Sequence, residues 1–211
     1  MSQRLPNGLA WTLLVLTVAV LIANVVLGLT GGVAWRAVFG FIPITLSFAL
    51  VGALIAVRAG NRLGWFFLAG ATVTAFSLAA TTYAARIPAD ELPGAAWAGW
   101  AFTLSLGVTA PFYFLTPLLF PDGRPPSPRW RPVVWIAILA GVTDAAASAI
   151  SDVNFHSNFP LLRDPVMLVA PLGTLDNLAT TAGPFVFLAG AVSMIVRYRR
   201  SGPEQRGRAG S

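Results

Sequence analysis

One carboxylate stands out by its surroundings. Asp144 lies in the stretch 130–151, where no other acid occurs and the only basic residue is Arg131. On a helix it falls fourteen residues past Trp130, about 21 Å along the axis. A carboxylate at that depth in hydrocarbon is costly, and such groups commonly handle ions, protons or ligands. Ser148 and Ser151 follow at i+4 and i+7, on the same face. The three can line a small polar cavity. A protonated Asp144, or one bonded to a neighbouring helix and reached by water, fits the pattern equally well. Two hydroxyl stripes accompany it: Thr74, Ser77 and Thr81, then Ser105, Thr109 and Tyr113. Small hydroxylated residues let membrane helices approach and bond one another, so packing accounts for both stripes. The alternative is a small-molecule crevice shared with Asp144.

Other chemistries lack their residues. There is no Cys, hence no disulfide, thiolate metal site or Cys nucleophile. A single histidine, His156, cannot build a His-rich metal site and reads as an incidental loop residue. All 14 basic residues are Arg, so no phosphate-binding loop has its lysine. No His-Glu-x-x-His helix and no Gly-x-Ser-x-Gly elbow occurs. The expectation is a non-enzyme without cofactor or metal.

The elements that must position these residues are membrane helices. Of 211 residues, 56% are hydrophobic and only 10% charged, against about 25% charged in a soluble domain. A helix needs roughly 20 apolar residues to cross a bilayer. Six stretches meet this, at 8–29, 36–57, 64–85, 95–120, 130–151 and 178–196. Each must be helical to satisfy its own backbone in lipid. The runs are continuous, without the alternation of barrel strands. The first exceeds the 7–15 residues of a signal-peptide core, and no small-x-small cleavage site follows, so it reads as a retained anchor. The fold class is therefore all-α: a polytopic helical bundle of six spans over 1–196, with a basic tail at 197–211.

Arginine placement orients the bundle. Arg4, Arg58, Arg62, Arg124, Arg129, Arg131, Arg197, Arg199, Arg200, Arg206 and Arg208 fall on one side, and Arg36, Arg86 and Arg163 on the other. Positive charge stays in the cytoplasm, so both termini are expected there, in a multi-pass protein of a bacterial plasma membrane. The net charge of +6 is then a topology marker, and no nucleic-acid partner is expected. The bilayer itself is the first partner, and the arginine face should attract anionic lipids. Trp11, Trp35, Trp65, Trp97, Trp100, Trp130 and Trp135 all sit near span ends, at the depth such rings prefer.

The inner loops are turn-like. Gly60 suits a helix C-cap and Asn61 the next N-cap. The loop 121–132 opens on Pro121-Asp122-Gly123, a tight-turn sequence. Ser127-Pro128 suits the start of the fifth span. Asp122, Gly123, Arg124, Arg129, Trp130 and Arg131 form a candidate coupling loop; a plain hairpin with anchors is the alternative. The outer segment 152–177 is the longest connection. It carries apolar patches at 159–162 and 166–169, divided by Pro160, Pro165 and Pro171. It should lie along the interface or cap the bundle. Long loops of this kind are often functional, which makes it a candidate sensing surface. The tail 197–211 has too few apolar residues for a core and should be disordered.

Two stretches carry a resemblance. Gly60-Asn61-Arg62-Leu63-Gly64-Trp65 follows the second span, and Leu119-Phe120-Pro121-Asp122-Gly123-Arg124-Pro125-Pro126-Ser127-Pro128-Arg129-Trp130 follows the fourth. In order and spacing they resemble the N-terminal membrane sensor region of actinobacterial two-component histidine kinases, over most of the chain. That implies a sensory or signalling membrane module, acting as a homodimer or with a separate kinase chain. The sequence contains no phosphoacceptor-His helix and no ATP-binding domain. A split receptor, a truncated gene product or a free-standing relative would each look like this. A small transporter component, or a remnant without a ligand, are the readings from other classes.

Overall fold

The computed structural model describes residues 7–59, 61–86, 92–120, 123–125, 127–150, 152–166, 184–185 and 188–194. All regular structure among them is helical. In chain order it comprises α1 (Asn7–Thr30), α2 (Trp35–Phe39), α3 (Ile42–Leu54) with a π-helical turn at Ile55–Ala59, α4 (Arg62–Ala84), α5 (Ala95–Leu119), a 3-10 turn (Pro128–Trp130), α6 (Arg131–Ile150) and α7 (Asp152–Asn158). Residues 188–194 are helical too.

Among the described residues, five stretches are long and apolar enough to cross a membrane: Asn7–Thr30, Trp35–Ala59, Arg62–Ala84, Ala95–Leu119 and Pro128–Ile150. They fall within two residues of the first five expected spans at every end. Of the expected sixth span, 178–196, residues 184–185 and 188–194 are described and helical; the rest of it, 167–177 and the tail lie outside the described residues. The outward surface suits hydrocarbon: Val15, Leu29, Trp135, Leu139 and Val142 are each more than 60% exposed.

α4 is the hub. It packs against α1, α3 and α5, whereas α6 packs on α5 and its backbone does not approach α4. Of the span-forming window of α4, 56% is buried, against 28% in each of the other four. Small residues permit the close approaches. A Cβ on Gly52 of α3 would lie 2.7 Å from the Leu68 nitrogen of α4. A Cβ on Gly107 of α5 would lie 2.5 Å from the Gly141 carbonyl of α6. With little hydrophobic drive between helices in lipid, such backbone contact supplies much of the association.

The second span, expected over 36–57, is helical in two pieces. It breaks at Gly40 and Phe41, because Pro43 occupies the first turn of α3 and has no N–H for the Phe39 carbonyl. The Val38 carbonyl at the end of α2 instead receives Asn24 Nδ2, at 3.1 Å. Asn24 is fully buried in α1. Pro111 and Pro117, by contrast, lie inside α5 without ending it. Asn24→Leu should cost about 1 kcal/mol, the usual scale for interhelical hydrogen bonds in membranes. A chemical-denaturation curve in detergent would register this; an unchanged curve would refute the structural role.

The first residues of the outer segment form a helix, α7, where a proline-broken loop is expected. Phe155, Phe159 and Leu162 are buried against Ala84 of α4 and Ala95 of α5. Gly99 of α5 makes room: a Cβ there would lie 3.0 Å from the Phe159 ring and 3.1 Å from that of Phe155. Residues 155–162 therefore cap one end of the α4–α5 pair, as their apolar content suggests.

Candidate functional site

The two hydroxyl stripes meet across α4 and α5. Thr74 Oγ1 and the Tyr113 hydroxyl lie 3.0 Å apart. Thr74 spends its proton on the Gly70 carbonyl at 2.9 Å, so Tyr113 donates to Thr74. Ser77 and Ser105 lie 2.5 Å apart. Ser105 donates to the Phe102 carbonyl, so Ser77 donates to Ser105. Thr109 is buried and donates back to the Ser105 carbonyl at 2.9 Å. The Tyr113 ring stands edge-on to Phe48 of α3, with centroids 5.4 Å apart. Each hydroxyl in this seam has a protein partner. Among the described residues no group of three or more His, Cys, Asp or Glu can hold a metal. The seam can fasten α4 to α5; it carries neither a nucleophile with its base nor an ionisable acid. Tyr113→Phe should destabilise by about 0.6 kcal/mol, the mean for such bonds. A double-mutant cycle with Thr74→Ala would isolate that term, and a coupling of zero would refute the bond.

Asp144 and Ser148 belong to another face. On α6, Gly141 and Ala145 contact Gly107 of α5. Ser148 is buried on that side, and Asp144 is half-buried at its edge. On α5, the stripe Thr103, Gly107 and Pro111 lies roughly 160° around the helix from Ser105, Thr109 and Tyr113. α5 therefore stands between the two sets. The structure brings Thr74, Ser77, Ser105, Thr109 and Tyr113 together; Asp144 and Ser148 stand on α6, whose backbone does not approach α4. Ser151 lies outside the described residues.

The turn between the second and third spans and the turn after α5 meet. Asn61 caps α4, its Oδ1 accepting from the Leu63 N–H at 3.0 Å. Gly123 adopts φ +70°, a conformation that favours glycine, and donates to the Leu119 carbonyl at 2.8 Å. A Cβ on Gly123 would lie 3.2 Å from the Leu63 nitrogen and 3.4 Å from Asn61 Oδ1. The turn after α5 thus rests on the cap of α4. Trp130 packs, half-buried, on a cluster of Leu115, Leu118 and Ala137. Arg124, Arg129 and Arg131 are exposed. Ser127 holds the N-cap position of the 3-10 turn without a side-chain cap bond. Gly60, Pro121 and Asp122 lie outside the described residues.

Three polar residues outside the expected sites gain structural roles. Asn24 joins α1 to α2, and its only sequence signal is being the one Asn within its apolar run. Arg86 lies against Gly31, just past the end of α1, where a cation complements the helix dipole. Asp164 is buried and accepts from the Val166 N–H at 2.9 Å; the Asp164-Pro165 pair is the turn signal. His156 is exposed, its ring edge-on to Phe155.

No family model, curated protein or solved structure matches this chain.

Proposed function

We propose that this chain is a non-catalytic, sensor-like signalling module of a bacterial plasma membrane, with six spans and both termini in the cytoplasm. The observation that carries the reading is the shared pair of helices. The cap formed by 155–162 rests on α4 and α5 at one end, and the touching turns at Asn61 and Gly123 belong to the same two helices at the other. A stimulus at the cap has a direct path to the inner turns through the α4–α5 seam. It acts by binding two packings of that pair with different free energy. The inner turns then present the altered packing to a second copy or to a separate kinase chain. Similarity of the two turn sequences to histidine-kinase sensor regions supports this reading.

Orientation is tested first. The chain contains no Cys, so single cysteines label without background. With a membrane-impermeant maleimide on intact cells, Ser157→Cys should label and Arg129→Cys should not. The reverse pattern overturns the topology. Signalling is then tested by transcript profiling of the host. Deletion of the chain should shift a defined set of transcripts, and deletion of 156–171 should reproduce that set or invert it. A profile unchanged by either deletion refutes the sensor reading.

A further inference from the structure

We propose that the arginine-rich end of the bundle holds a seat for one anionic phospholipid, with Arg62 and Arg124 gripping its phosphate. The inference rests on the chain spanning a membrane and is independent of the sensor reading.

Contact between the inner turns creates the seat. A Cβ on Gly123 would lie within 3.5 Å of Leu63 and Asn61; Arg62 lies between these two in sequence, and Arg124 follows Gly123. Two Cα–Cα steps plus one van der Waals contact put the Cα atoms of Arg62 and Arg124 within about 12 Å. Both side chains are exposed. Extended guanidinium groups from two such positions can converge on a single phosphate, and their fork geometry suits its oxygens. Across 58–65 and 120–131 the chain carries five arginines and a single acid, Asp122. Charge complementarity therefore selects an anion.

Apolar surroundings select a lipid over free phosphate. Phe120, four residues before Arg124, is 44% exposed. Beside a phosphate at headgroup level, this side chain meets acyl chains. Arg129 and Arg131 carry the same charge at the same end, but they stand on the 3-10 turn and the start of α6, whose backbones do not approach α4. A diffuse attraction would use all these arginines alike, whereas a built seat uses the pair joined by the turn contact.

The test uses the full chain in nanodiscs of phosphatidylcholine with a minor fraction of phosphatidylglycerol, read by native mass spectrometry. The wild type should retain one phosphatidylglycerol in preference to phosphatidylcholine. Each arginine near an anionic headgroup contributes about five-fold in binding, so R62Q with R124Q should lower retention roughly twenty-five-fold. R129Q with R131Q removes equal charge and should stay within about two-fold of wild type. Gly123→Val changes no charge and should lose retention like the first pair. Should that variant fail to fold, the comparison of the two arginine pairs decides by itself. Equal loss from either pair, or equal retention of the two lipids by wild type, overturns the proposal.

Discussion

Gly107→Val is expected to lower the melting temperature of the detergent-solubilised chain by about 10 °C, the largest effect of any single substitution considered. At this position the Cβ has no room: it would fall 2.5 Å from the Gly141 carbonyl and against the Ala145 backbone. Both obstacles are main chain of α6, which cannot rotate aside as a side chain does. Overpacking of this kind costs about 1–3 kcal/mol, and a chain of this size loses about 2–4 °C per kcal/mol. The upper end applies because the added Val branches also lie on the seam. Gly8→Ala is the control: a Cβ there meets nothing within 4 Å. Following tryptophan fluorescence during heating separates the two. A fall of less than 2 °C for Gly107→Val would show that α5 and α6 are not joined at this point.

The second large effect is local. Phe155→Ala combined with Phe159→Ala should detach the cap while leaving the helical bundle intact. Burying each ring accounts for about 3–5 kcal/mol by the usual cost of truncating a buried Phe. Loss of both exceeds what a short helix can recover from its own hydrogen bonds. Hydrogen exchange at the Phe159 and Leu162 amides, which now donate to the carbonyls of residues 155 and 159, should accelerate by about 100-fold or more. Amides of α1 and α4 should keep their protection. An even acceleration across all helices would mean that the cap supports the whole fold; no acceleration would mean that it does not rest on α5.

Much of the architecture is legible in the sequence, because lipid turns apolar length directly into helix. Five spans follow from that rule to within two residues. The break at Gly40 and Phe41 is hidden, since residues on both sides are equally apolar; only Pro43 signals it. α7 is masked by its polar composition; of the three buried residues of the cap only Phe155 lies on it, and Phe159 and Leu162 follow its end. The hydroxyl stripes are legible from their helical period. Their partners are not, because Ser105 and Asp144 look equally able to share a cavity until α5 is known to stand between α4 and α6. Asn24 escapes notice because it is uncharged; its importance comes from the Val38 carbonyl on another helix, at the break between α2 and α3.

The hub position of α4 also imposes an order of events on the growing chain. α1 and α3 reach the bilayer first, so Thr72 of α4 arrives with its partner Thr17 already present, 2.9 Å away in the finished bundle. Thr74 and Ser77 face the other way, towards a helix not yet made. From the end of α4 at Ala84 to the end of α5 at Leu119 the ribosome must add 35 residues, about 2–7 s of synthesis. For those seconds Ser77 waits for Ser105 of α5, whereas Thr74 already holds the Gly70 carbonyl of its own helix.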